Sequence, residues 1–170
     1  MAVKHEGNKA PYLFDIECRW CCGKDYGVIY SRSFGSCVGL VLYSPKHKIG
    51  VVAHYSGSLG MKASRQKVAN DTQEILRAVC PISPGVWKAW VFGGTSLFTK
   101  KEDHATATVE TMTKPLIVAI RQELKYNKYF PINLPPNAPG YQEPEMTTEY
   151  VGHAGVDLDV ATGKITWYQS

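Results

Sequence analysis

Apolar positions along this chain recur at two spacings: every second residue in several short stretches, and every third or fourth residue in two longer ones. The two periods predict strands and helices respectively. Tyr12 to Ile16 and Gly27 to Tyr30 read as strands separated by the polar Gly23-Lys24-Asp25 turn. Cys37 to Tyr43 and Ile49 to His54 follow, short and rich in apolar and β-branched residues, with Ser44-Pro45-Lys46-His47 between them. Serine then proline at positions i and i+1 favour a type I turn, so this pair reads as a hairpin. Val68, Thr72, Ile75, Leu76 and Val79 recur at helical spacing ahead of Pro81, which predicts an amphipathic helix within 64–79. Trp87 to Phe92 is a strand ended by Gly93-Gly94. Leu116, Ile117, Ile120 and Leu124 line one face of a second helix. Pro115 stands either at its first position or at a kink in a longer helix beginning near Ala105.

The C-terminal third changes character. Five of the ten prolines, Pro131, Pro135, Pro136, Pro139 and Pro144, make 130–146 a loop insertion and a candidate recognition element. Beyond it Val156, Leu158 and Val160 alternate with Asp157 and Asp159, and Ala161-Thr162-Gly163 leads into Ile165 and Trp167, a terminal hairpin.

Composition narrows the class. At 170 residues, with 44% hydrophobic and 20% charged positions, the chain fits one globular domain, residues 1–170, rather than disorder or a coiled coil. The net charge of +4 is spread out, without the basic run or helical stripe that a nucleic-acid partner would require. No stretch is long enough to span a bilayer, so no membrane insertion is expected. Met1 to Pro11 carries Lys4, His5, Glu6 and Lys9 in place of an apolar signal region, so the expected location is cytoplasmic, or secreted by a route without a signal peptide. The five cysteines, Cys18, Cys21, Cys22, Cys37 and Cys80, are an odd set in a chain too large to depend on disulfide staples.

The central hairpin brings chemistry into view. If Ser44 to His47 is the loop, Tyr43 faces Lys48 and, counting outward, Cys37 faces His54. Opposed residues share a face with Cβ atoms about 4.5–5.5 Å apart. A thiol with a pKa near ~8.5 is mostly protonated at neutral pH, and a neighbouring imidazolium favours the nucleophilic thiolate. Cys37 and His54 are therefore a candidate nucleophile and base, and Gly35-Ser36 ahead of Cys37 offers backbone N–H groups for an oxyanion. Ser31, six residues before Cys37 on what reads as an adjacent strand, can orient the ring through its hydroxyl or carbonyl. The alternative is a buried core cysteine and an unrelated strand-end histidine.

These residues resemble the CheD family of chemoreceptor glutamine deamidases. Ser36-Cys37-Val38-Gly39 is similar to its nucleophile segment, and His54 follows at the family's seventeen-residue spacing. Val91-Phe92-Gly93-Gly94 with Leu97-Phe98, and Val151-Gly152 with Thr162-Gly163, resemble its later motifs in family order. The likeness covers Tyr26 to His54, Ala89 to Phe98 and Val151 to Trp167. It implies an α+β fold of mixed β-sheets packed as a sandwich with flanking helices. It also implies a protein-glutamine deamidase with Cys37 as nucleophile, His54 as general base and Ser31, where the family has threonine, as third member. The implied reaction needs no cofactor or metal. The implied partners are a protein presenting an exposed glutamine, chemoreceptors first, and a regulatory protein. His153 in place of glycine, Gly155-Val156 in place of Gly-Arg, and the 130–146 insertion depart from the family. The fold and Cys–His logic also resemble the catalytic domains of cytotoxic necrotizing factor toxins. Two alternatives stay open: an effector deamidase acting on a host GTPase, and a non-catalytic adaptor that binds a chemotaxis phosphatase.

Other patterns point elsewhere. Cys18-x-x-Cys21-Cys22 has two thiols at zinc-binding spacing but no second pair to complete four ligands, His5 and Cys80 being poor candidates. Gly93-Gly94 lacks the residues of a phosphate loop. Asp71 and Glu74 read as charges placed near a helix N-terminus. His47 and His104 read as solvated, and His153 as a surface residue or a contact at the mouth of the site.

Overall fold

The computed structural model describes residues 2–4, 12–13, 19–32, 34, 37–55, 61–79, 87–93, 114–126, 146–149 and 155–168. These form β1 (Ala2–Lys4), β2 (Tyr12–Leu13), β3 (Arg19–Lys24), β4 (Val28–Arg32), β5 (Val38–Ser44), β6 (Ile49–Tyr55), α1 (Met61–Val79), β7 (Lys88–Gly93), α2 (Lys114–Tyr126), β8 (Met146–Glu149), β9 (Gly155–Asp159) and β10 (Ile165–Tyr168). A six-stranded mixed sheet has the order β1-β3-β6-β5-β7-β8, and a four-stranded sheet the order β10-β9-β4-β2.

Every residue of β5 and β6 is buried, the condition under which a strand reads as a continuous apolar run rather than an alternation. Their two faces are covered differently. On one, Tyr55 donates to Thr72 Oγ1 at 2.8 Å, Thr72 donates to the Val68 carbonyl at 2.7 Å, and Trp20 Nε1 donates to Glu74 at 3.2 Å, so α1 is tied to β6 and β3. On the other, the four-stranded sheet closes over β6 and β7, with Phe92 set edge-on to Trp167 at 5.0 Å. The architecture is an α+β sandwich with the helices outside the larger sheet. Among the described residues no helix is long and apolar enough to cross a membrane.

The helices follow their apolar stripes. Val68, Thr72, Ile75, Leu76 and Val79 of α1, and Leu116, Ile117, Ile120 and Leu124 of α2, are all buried. Pro115 is the second residue of α2, in the turn where a missing N–H costs no intrahelical bond. Residues 105–113, the longer alternative, lie outside the described set. So do 130–145 of the expected Pro-rich loop; Met146 already belongs to β8, which pairs in parallel with β7. The terminal hairpin forms as expected, Leu158 opposite Ile165 and Val156 opposite Trp167. Asp159 Oδ1 closes its turn by accepting from the Ala161 and Thr162 amides at 2.9 and 3.2 Å.

Three local expectations are corrected. Gly23-Lys24 is strand rather than turn: β3 runs to Lys24 because Cys21 and Cys22 ladder with Val52 and Val51, and the reversal follows at Asp25 and Gly27, with φ of 69° and 97°. The central hairpin turns one residue later than expected. Ser44 pairs with Ile49, and Pro45–Lys48 makes the turn with Lys48 at φ 48°. Moving the loop by one residue moves the register by two, so every face is preserved. Finally, α1 starts at Met61, which leaves Asp71 and Glu74 in mid-helix rather than near the N-terminus. Asp71 pairs with Lys67 at 3.1 Å and Glu74 accepts a hydrogen bond from the Trp20 indole N–H.

Candidate active site

The site is built where the two sheets meet. β4 belongs to the smaller sheet and shows the alternation of a strand with one buried face, Ile29 and Ser31 inward, Tyr30 and Arg32 outward. β6 belongs to the larger sheet. Across the gap Ser31 Oγ and His54 Nδ1 lie 3.0 Å apart, both residues buried, at 0% and 1% exposure. The hydroxyl either accepts from Nδ1–H or donates to its lone pair, and in each case the ring plane is fixed and Nε2 is the nitrogen turned to other work.

The ring is also held by its faces. Phe34 stacks on His54 with centroids 3.9 Å apart and planes 13° from parallel. Phe92 meets Phe34 edge-on at 4.8 Å. Phe92 reaches that position because Gly39, its partner on β5, has no side chain: a Cβ there would clash with the tip of the Phe92 ring. Gly39 is also the residue opposite His54 on the other flank of β5. The imidazole therefore sits in a buried aromatic setting in which electrostatic interactions are less screened than at the surface.

Cys37 directly precedes β5 and is 4% exposed. It does not face His54 squarely, as the earlier turn would have had it. With the turn at Pro45–Lys48, Gly39 takes that place and Cys37 stands two residues outward on the same parity, the diagonal neighbour of His54. Diagonal Cβ atoms are about 7–8 Å apart or somewhat less, within reach of longer side chains. The structure thus joins Ser31 to His54 by a hydrogen bond and puts Cys37 one residue beyond the β5–β6 ladder that carries His54.

Other candidates fall away from this place. Cys21 lies on β3 with its thiol pushed from the ordinary 9.0 up to about 12, first by burial and then by neighbouring Cys22, which makes it a poor nucleophile. Cys22 is half-buried on the opposite face of that strand. Among the described residues no three His, Cys, Asp or Glu side chains gather as a metal site. His47 is half-buried in the hairpin turn. His5, Cys18, Gly35, Ser36, Cys80, Gly94, His104 and His153 lie outside the described residues. Phe34 was not foreseen from the sequence, and its one signal is a lone aromatic among Ser33, Gly35 and Ser36, where a plain turn would carry none. No protein-family model matches the chain, and no curated protein matches it.

Proposed function

We propose that this protein is a protein-glutamine deamidase working through Cys37, His54 and Ser31. The observation that carries the reading is the 3.0 Å Ser31–His54 contact beside Cys37, a nucleophile, base and orienting group in the order such chemistry requires. The Cys37 thiolate attacks the side-chain amide carbon of a substrate glutamine, and backbone N–H groups beside Cys37 take the oxyanion. His54, its Nδ1–H accepted by Ser31, protonates the departing nitrogen from Nε2, so ammonia leaves and a thioester remains. His54 then takes a proton from water, whose oxygen attacks the thioester. Collapse frees glutamate and returns the thiolate. A carboxamide at the end of a flexible methylene stem suits a sulfur recessed to 4% exposure. Chemoreceptors are the substrate class to try first, on the resemblance to CheD, with a host GTPase as the effector alternative.

The same recession favours a second reading, an adaptor that binds a phosphatase while its thiol lies idle. One experiment separates them. The intact protein is incubated with receptor cytoplasmic fragments and with Rho-type GTPases, Gln-to-Glu conversion is located by peptide mass, and Cys37 alkylation by iodoacetamide is timed at neutral pH. Conversion by wild type that is abolished in Cys37→Ser and in His54→Ala supports the deamidase. No conversion, together with a Cys37 that resists alkylation, overturns it in favour of the adaptor.

A further inference from the structure

Behind Ser31, on the outer face of the small sheet, stands a second cluster. Among the described residues the β4–β9 ladder runs to the Arg32–Gly155 pair, and the rung before it is Ser31–Val156. Backbone towards the end of a strand is ordinarily looser than at its middle, and Ser31, which carries the hydroxyl that meets His54, is the second-last residue of β4. Serine adds to the difficulty, because without a β-branch its χ1 is not stiffened. Here the looseness is countered. Arg32 Nη1 donates to the carbonyl of Ser31 at 3.2 Å and across the ladder to that of Val156 at 3.1 Å. It also lies 2.6 Å from Asp157 Oδ1, an ion pair rather than an aligned hydrogen bond.

The guanidinium is itself caged. Its carbon lies 4.0 Å from the Tyr168 ring centre and 5.2 Å from that of Tyr30. Tyr168 donates its phenol proton to Asp157 Oδ2 at 2.7 Å, so the carboxylate bridges the two. Gly155 lets the side chain pass: a Cβ there would come within 2.6 Å of Arg32 Cδ and 3.0 Å of the Ser31 carbonyl oxygen. A lone surface ion pair would matter little. A single guanidinium nitrogen that bonds two carbonyls from opposite strands while the group lies over two tyrosine rings is different, because lysine has no plane to lay on those rings and so does not hold its nitrogen there in the same way.

We propose that Arg32, held by Asp157 and Tyr168, is a positioning residue for His54: it staples the last rungs of β4 and β9, fixes the Ser31 backbone, and so sets the tautomer and orientation of the imidazole on the other side of the sheet. The inference rests on reading His54 as the general base. Arg32 touches neither the thiol nor the imidazole, and it acts through Ser31 alone.

Arg32→Lys tests it, with Gly155→Ala as a second variant that dislodges the arginine while keeping its charge. Two readouts are taken on the intact, folded protein: the ring-nitrogen resonances of His54, which report its tautomer, and the pH profile of Cys37 alkylation by iodoacetamide. Wild type is expected to show one fixed tautomer. Both variants should show averaged ring-nitrogen resonances, a displaced pH profile, and alkylation slowed roughly tenfold, as when an outer partner of a functional histidine is lost. If Ser31→Ala moves both readouts and neither Arg32→Lys nor Gly155→Ala does, the positioning role is overturned and the deamidase reading stands. If Ser31→Ala moves neither, the reading of His54 as an oriented base fails first, and the role of Arg32 with it.

Discussion

Replacing Ser31 with alanine removes one oxygen atom from a buried place, and the cost can be worked from the structure. Ser31 is 0% and His54 1% exposed, so the imidazole nitrogen that loses its 3.0 Å partner gains no solvent in exchange. A buried polar group left unsatisfied costs about 1–3 kcal/mol. At a urea m-value of about 2 kcal/mol/M, the unfolding midpoint should fall by roughly 0.5–1.5 M with m unchanged. The structure also predicts non-additivity. In a His54→Leu background the serine hydroxyl is the orphan, so Ser31→Ala there should be neutral or mildly stabilising. The double-mutant cycle should give a coupling of about 1–2 kcal/mol. Urea titration of the four proteins, followed by far-UV circular dichroism, measures it. Additive effects, within about 0.3 kcal/mol, would show that the two side chains do not meet, and every statement about an oriented His54 would fall.

Gly39→Ala should be costly despite adding only a methyl group. Phe92 has to leave, yet it is wedged between Phe34 and Trp167 at 4.8 and 5.0 Å, so the loss should reach about 1–3 kcal/mol, with the Phe34–His54 stack disturbed. Chemical denaturation and the His54 ring-proton shifts check this, and unchanged shifts would refute the aromatic relay. Cys21 predicts alkaline sensitivity. Its thiol is raised from 9.0 to about 12 in the folded chain, so the unfolded chain releases that proton first. The stabilisation is whole below pH 9 and is lost as pH climbs from 9 towards 12, at up to about 1.4 kcal/mol per pH unit. The fall in stability between pH 9 and 10.5 should be shallower in Cys21→Ala than in wild type. Equal slopes would place the Cys21 sulfur in contact with solvent.

Much of the frame was readable from pattern. The apolar runs at β5 and β6, the stripes of α1 and α2 and the alternation of β9 each state a face and a period, and burial obeys them. His54 was legible as well, because parity along a strand survives a misplaced turn; Ser31 was legible as a residue but was expected on a strand adjacent to the hairpin, and β4 instead belongs to the facing sheet. What escaped depended on choices that local chemistry leaves nearly degenerate. Ser44 can open a turn or end a ladder at almost equal cost, and the difference moves Cys37 from facing His54 to its diagonal. Cys21 and Cys22 carry no strong strand signal, so β3 showed itself only through its partner β6. Phe34 and Arg32 were out of reach for a different reason. Besides near neighbours, they meet residues 20 to 136 positions away in the chain, and no periodicity encodes those distant contacts.

Because the serine and the histidine belong to different layers, the oriented imidazole exists only once those layers have docked. A chain still emerging from the ribosome, or one whose sandwich has sprung open, holds both residues but not the pair, and its cysteine meets the cell with the ordinary sluggishness of any thiol. If the proposed deamidase reading holds, activity is thereby tied to the integrity of the whole molecule, and a damaged copy falls silent rather than turning indiscriminate.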